Sequence, residues 1–259
     1  MLHLVFVTDG DPGQLLGLCG IIKQVLDTPG FTQTPVWVGA PNQKTIAVST
    51  ILKRLTAVGR LETFAVRKAG DDPYYVQLGL RNAFNAIPEG DFLLYLDYDH
   101  VLIEQDNFVI PQSSSVFVSS EVKKNFSPPV SLGINQHLEH VNISLISGQS
   151  KYLRRIGDVW EQAYNDLRGC CPVRCRAEIS FGLAAERAGV PLLPVATDIQ
   201  ASFADPNCKT ALFHYGGDSS PSKELKTRLV RMASETRYRV DPLLIPREFK
   251  ELILREVLH

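Results

Sequence analysis

The sequence has almost no net charge. Lys and Arg number 27 against 28 Asp and Glu, which leaves −1. A protein that holds nucleic acid through its phosphates carries a basic excess, so the balance argues against a general nucleic-acid binder. No apolar run approaches the roughly 18 residues needed to cross a bilayer. The apolar stretch from Leu2 to Val7 is followed at once by Asp9 and Asp11, with no basic segment before it, so no secretory signal is read. Five cysteines are an odd number for a disulfide framework and are read as reduced thiols of a cytoplasmic protein. Cys170, Cys171 and Cys175 cluster, yet their spacing fits no zinc pattern and no histidine is near, so unrelated thiols are expected. Internal repeats, low-complexity tracts and linkers are also missing. Gly10 and Gly13 do not complete a G-x-G-x-x-G fingerprint, which argues against a dinucleotide-dependent dehydrogenase.

What is present is an ordinary folded composition, with 44% hydrophobic and 21% charged residues over 259 positions. Short apolar runs predict strands at His3–Thr8, Pro35–Val38, Leu61–Val66 and Phe92–Leu96. Helical spacing between them predicts helices over Gln14–Leu26, Thr45–Leu55 and Tyr74–Ile87. Strands that are apolar throughout and alternate with helices imply an α/β fold with a mostly parallel sheet covered on both faces. The second half is more mixed. Strands are expected at Ser115–Ser119, Val141–Ile146, Leu192–Ala196 and Ala211–His214, and helices at Lys151–Leu167 and Glu178–Ala188. Gly189 is the expected stop of the latter helix. From Ser222 the chain reads as helical and charged.

The most informative stretch runs from Asp91 to Leu102. An apolar strand delivers Asp97, Tyr98 and Asp99 to its carboxyl end, where ligands of such sheets bind. Alternate residues of an extended chain point the same way, so both carboxylates can face one site. Two such charges repel unless a cation lies between them. Hard oxygen donors suit Mg²⁺ or Mn²⁺, which in turn grip a diphosphate. The plain alternative is a pair of acids in a surface turn.

In this order the chain resembles a glycosyltransferase of the GT-A fold, a Rossmann-like three-layer α/β/α arrangement. Three further segments carry the resemblance. His140–Ile146, with Asn142, is similar to the Asn-x-Gly strand that lines the sugar pocket in such enzymes, with Ser144 where glycine is usual. Ala177–Phe181 resembles the acidic motif that opens a helix below the acceptor, with Ile179 in place of a second acid or glutamine. Phe213–Gly217, followed by Pro221 and Lys223, resembles the His-x-x-Gly…Lys segment of glycosyltransferase family 8 and its relatives, without its usual tryptophan. The resemblance spans roughly residues 2 to 223. It implies a single domain over 1–259: a nucleotide-sugar-binding half at 1–103, an acceptor half at 104–223 and a C-terminal helical tail at 224–259.

The resemblance also implies roles. Asp97, Asp99 and His214 would hold the metal, and Lys223 would touch the diphosphate of a nucleotide-sugar donor, most simply a UDP-sugar. Histidine as third ligand moves the preference from Mg²⁺ towards Mn²⁺. Arg81, in the helix before the acid pair, would meet the donor sugar or phosphate. Thr8 and Asp9, ending the first strand, are placed to meet the nucleoside. Glu178 is the expected catalytic base if the anomeric centre is inverted, and a sugar-hydroxyl ligand if it is retained. Each has a bland alternative: a packed histidine for His214, solvated helix charges for Arg81 and Lys223, and local caps for Asp9 and Glu178. The acceptor is left open among glycan, lipid and small molecule, and a homo-oligomer is left open.

Two other functions compete. Asp97-x-Asp99-x-Val101 also resembles the first motif of haloacid-dehalogenase-like phosphatases, with Asp97 as nucleophile, Asp99 as acid/base and Gly217-Asp218-Ser219 as a late metal motif. That motif usually sits on the first strand of the chain, whereas here three strand–helix units precede it. A non-catalytic nucleotide-sugar-binding protein of the same fold would keep the architecture without turnover.

Overall fold

The computed structural model describes residues 1–56, 58–67, 72–102, 108–110, 113, 115–119, 122–126, 138–202 and 211–214. The first half alternates as expected: β1 (Leu2–Val7), α1 (Pro12–Leu26), β2 (Val36–Pro41), α2 (Thr45–Thr56), β3 (Leu61–Val66), a 3-10 helix (Pro73–Gly79), α3 (Leu80–Ala86) and β4 (Phe92–Leu96). Next come β5 (His100–Leu102), β6 (Val116–Val118), β7 (Val122–Phe126), β8 (Leu138–Val141) and β9 (Leu145–Gln149). The chain continues through α4 (Ser150–Asp166), α5 (Val173–Ala188), β10 (Leu192–Pro194), β11 (Gln200–Ser202) and β12 (Leu212–His214).

Among the described residues a seven-stranded sheet runs in the order β10-β6-β9-β4-β1-β2-β3. β3, β2, β1 and β4 are mutually parallel, β9 runs against both β4 and β6, and β10 is parallel to β6. A three-stranded sheet β11-β12-β5 and the antiparallel pair β7-β8 complete the pairing. The period of two along each strand divides the core. Leu4, Phe6, Leu94 and Leu96 pack with α1 and α2 on one face, whereas Val5, Val7, Leu93 and Tyr95 pack with α3, α4 and α5 on the other. Three layers result, with helices covering both sides of the sheet. On the second face Trp160 is fully buried between Phe84 and Phe181, and its indole N–H donates to Ser180 Oγ at 2.9 Å. Truncating such a side chain to alanine costs about 3–5 kcal/mol.

Several expected elements come out differently, each for a local reason. The helix expected over Tyr74–Ile87 is a 3-10 helix followed by the short α3. The break falls at Gly79, where a Cβ would lie 2.3 Å from a methyl of Val66. The strand expected over Val141–Ile146 is two strands, because the Ser144 N–H turns to bond Asn142 Oδ1 at 2.8 Å and the ladder stops there. α5 begins at Val173 behind Pro172, so Glu178 is its sixth residue and not a cap. It ends at Gly189 as expected, in the left-handed conformation at φ 61°. The short strands β5, β7 and β11 carry no periodic signal of their own. Lys223, Gly217-Asp218-Ser219 and the tail 224–259 lie outside the described residues.

Candidate active site

β1 and β4 are parallel neighbours, so the loops leaving their carboxyl ends emerge at one edge of the sheet. After β1 the chain turns on itself. Thr8 is buried, donates its hydroxyl to Gln14 Oε1 at 3.1 Å and accepts the Gly10 N–H at 3.0 Å. The Asp9 N–H also reaches Gln14 Oε1, at 3.0 Å, while its carboxylate accepts the Asp11 N–H at 2.7 Å. Gly10 takes φ 78°, and the Lys44 ammonium donates to its carbonyl at 3.1 Å. Thr8 and Asp9 therefore shape this loop through a local hydrogen-bond net centred on Gln14, a residue that sequence reading did not single out.

After β4 the backbone of Asp97 is fixed from two sides. Its N–H donates to the Ser144 carbonyl at 2.8 Å, and its own carbonyl accepts from His100 Nδ1 at 3.1 Å. Its carboxylate accepts from the hydroxyl of Tyr95, which is wholly buried two residues earlier, on β4. Burial, then the neighbouring Asp99 charge, push the Asp97 carboxyl up to about 7, and Glu178 acts in the same sense. Glu178 is thus close enough to share the field of the acid pair. Tyr95 is pushed well above its ordinary value by burial and by Asp97, so it stays a donor. Tyr98, between the acids, is half-buried against the core face that holds α1.

Asp99 meets His214. Nε2 of His214 lies 3.3 Å from Asp99 Oδ1, a buried oxygen without a hydrogen bond of good geometry. Burial would raise the Asp99 carboxyl, but the His214 and then the His100 imidazole beside it more than offset this and leave it below the ordinary carboxylate range. The meeting is set by strand register. In the antiparallel β5–β12 pair His100 stands directly opposite His214, and their rings stack at 4.8 Å with 21° between planes. His100 also touches the Gln200 amide at 2.9 Å, and that amide reaches Ser144 Oγ at 3.4 Å. Asn142 is buried at the turn before β9, next to this net.

The other candidates are placed elsewhere. Arg81 pairs with Glu161 on α4, to which the Tyr75 hydroxyl also donates at 3.1 Å. The structure therefore ties Arg81 to the α3–α4 packing and does not bring it to the acid pair. The described cysteines are free thiols; Cys170 and Cys171 donate to backbone carbonyls, and burial pushes Cys171 up to about 12. Tyr95, His100 and Gln200 were missed in the sequence. The alternation Tyr95-x-Asp97-x-Asp99 was a usable signal for the first. His100 and Gln200 depend on long-range pairing that no local pattern carries.

Whether these residues fit a divalent ion turns on their geometry. Among the described residues no three His, Cys, Asp or Glu side chains converge on one point. Tyr95 holds the Asp97 carboxylate, while Asp99 and His214 do converge. Two donors at about 2.1 Å and right angles around an octahedral ion stand about 3 Å apart, close to the separation observed here. Mg²⁺ and Mn²⁺ take one or two carboxylates together with waters and substrate phosphates, so the donor set fits an ion that arrives with a diphosphate.

No protein-family model matches the sequence, and no curated protein matches it either. Solved structures do match. The galactosyltransferase LgtC, in complex with donor and acceptor sugar analogs, is 14% identical and aligns over 97% of this chain and 100% of its own, with a TM-score of 0.56. The fold is that of the GT-A glycosyltransferases. The bifunctional glycosyltransferase WbbM, in its apo form, is 13% identical and aligns over 99% of this chain but 49% of its own, at 0.54. Mouse xyloside xylosyltransferase 1, also apo, is 12% identical over 85% of this chain and 98% of its own, at 0.50. At such identities the likeness is one of fold. Among the described residues no helix is long and apolar enough to cross a membrane.

Proposed function

We propose that this chain is a metal-dependent glycosyltransferase that moves a sugar from a nucleoside diphosphate, most simply UDP, to the hydroxyl of an acceptor. One observation carries the reading: Asp99 and His214 converge at the carboxyl edge of β4, beside the loop that ends β1. That edge is where a parallel α/β sheet takes its ligand. Asp99 and His214, with Asp97 beside them, would hold Mn²⁺ or Mg²⁺. Such an ion supplies Lewis-acid stabilisation of the charge that builds on a departing diphosphate.

The chain's own residues have the remaining tasks. The loop at Thr8 and Asp9 receives the nucleoside. Asn142, buried at the turn before β9, lines the sugar pocket in this reading. Glu178 takes the acceptor proton if the anomeric centre inverts, or binds an acceptor hydroxyl if it is retained. Lys223 meets the diphosphate. The LgtC complex, with donor and acceptor analogs bound in a chain of the same fold, supports a two-substrate reading.

Calorimetry with UDP, GDP and phosphate monoesters, with and without Mn²⁺, tests this. Binding of a nucleoside diphosphate that requires Mn²⁺ and is lost in Asp99→Ala supports it. Turnover of a phosphate monoester without diphosphate binding favours the phosphatase instead. Tight nucleotide binding with no donor hydrolysis across many acceptors favours a non-catalytic protein.

A further inference from the structure

His100 comes directly after the acid pair, and its environment is more constrained than a packed histidine needs. It is 3% exposed, and both ring nitrogens are used. Nδ1 lies 3.1 Å from the carbonyl oxygen of Asp97, which only accepts, so Nδ1 carries the hydrogen. Nε2 meets the amide nitrogen of the fully buried Gln200 at 2.9 Å. The ring is held from both sides. The same Gln200 nitrogen also reaches Ser144 Oγ at 3.4 Å, and the Ser144 carbonyl accepts the Asp97 N–H at 2.8 Å.

The net thus closes on Asp97. Its N–H and its carbonyl are both held, the N–H by Ser144 just before β9 of the large sheet and the carbonyl by His100 of the small one. The face of the His100 ring supports His214, stacked at 4.8 Å. One residue therefore sets two things: the backbone course of Asp97-Tyr98-Asp99, and the plane of the imidazole that meets Asp99.

The geometry points to His100, backed by Gln200, as a positioning residue that presents Asp99 and His214 to a divalent ion. This rests on the proposed metal-dependent reading of the site. Nδ1 of His100 lies 3.9 Å from Asp99 Oδ1 but only 3.1 Å from the Asp97 carbonyl oxygen, so the ring stands behind the ligands and not among them. It acts as an outer-shell partner acts, by orienting the ligands, and loss of such a partner typically weakens metal binding about 10- to 100-fold.

Mn²⁺ titrated into the full chain with saturating UDP, against a chain-free Mn²⁺–UDP control and counted by the EPR signal of the unbound ion, reads the affinity without reference to turnover. His100→Ala is expected to weaken Mn²⁺ binding about tenfold or more. His100→Asn keeps an N–H where Nδ1 stood and is expected to retain most of the affinity, while His100→Phe, which keeps only the stack, does not. Thermal melts in EDTA accompany each variant. Should His100→Ala fail to fold, Gln200→Leu replaces it, with a smaller weakening expected. Wild-type affinity in both His100→Ala and Gln200→Leu overturns the inference, as does equal weakening in His100→Asn and His100→Phe. Asp99→Ala and His214→Ala separate the two levels. If wild type binds no Mn²⁺ even with UDP present, or these variants bind it unchanged, the metal reading itself falls and His100 falls with it.

Discussion

The buried hydroxyl of Tyr95, on β4, donates to the carboxylate of Asp97, just past the end of that strand. This bond favours the charged carboxylate, while burial and then the Asp99 charge work against it and push Asp97 up to about 7. An ordinary aspartate in the unfolded chain loses its proton near 4, whereas Asp97 in the folded chain keeps it to about 7. The folded state binds the extra proton in that window, so this group makes the metal-free chain less stable as pH rises from 4 to 7. Tyr95→Phe removes a donor to the charged form. We expect it to cost roughly 1–3 kcal/mol at pH 8 and clearly less at pH 5, by urea unfolding in EDTA. Equal losses at both pH values would show that the phenol is only packed there.

The contact between Asp99 and His214 makes a separate prediction. If the pair holds the ion that neutralises the diphosphate, removing either partner takes away several kcal/mol of transition-state stabilisation. Asp99→Ala and His214→Ala should each lower metal-dependent release of UDP from a UDP-sugar by at least about 100-fold, equivalent to roughly 2.7 kcal/mol. Melting temperatures in EDTA should fall as well, because each variant leaves one partner of a largely buried pair uncompensated, so activities are compared on folded protein. Full activity in either variant would remove the pair from the chemistry.

Much of this arrangement was legible in the sequence. The strands β1 to β4 and the helices between them are announced by apolar runs and helical spacing, because buried parallel strands must be apolar on both faces. The acid pair at the end of β4 is read by the same logic. What local pattern could not supply is the second, small sheet. β5 and β12 are three residues each and more than a hundred residues apart, so the register that sets His100 opposite His214 is a tertiary fact. Arg81 shows the converse. A basic residue on a helix before the acids reads naturally as a phosphate ligand, but the face it occupies is fixed by how closely α3 meets α4. Gly157 permits that approach: a Cβ there would lie 3.3 Å from the Phe84 ring and 3.5 Å from the Arg81 side chain. Arg81 accordingly finds Glu161.

That pairing is testable on its own terms. Arg81 and Glu161 are 29% and 40% exposed, so solvent screens the pair and its loss should cost about 1 kcal/mol or less. Arg81→Met and Glu161→Gln should each lower the melting temperature slightly and leave KM for the donor unchanged. The opposite pattern, an unchanged melting temperature with a severalfold rise in KM for the donor, would return Arg81 to the substrate.

Glu178 is the proposed base for an inverting transfer. It stands at the sixth position of α5, past the first turn, so the helix end does not account for it, and its charge adds to the field on Asp97. A carboxylate in that field is poised to draw a proton from a hydroxyl only if the hydroxyl approaches from the side away from the diphosphate. General-base catalysis contributes about 10²–10⁴-fold, so Glu178→Gln should lower kcat by that factor with little change in KM for the acceptor. That outcome goes with inversion of the anomeric configuration of the product, read by proton NMR before mutarotation. A retained configuration, with the loss of Glu178→Gln falling on KM for the acceptor, assigns the side chain to binding, because a carboxylate that only accepts a hydroxyl hydrogen bond contributes equally before and at the transition state. Wild-type kcat and KM together would exclude it from both roles.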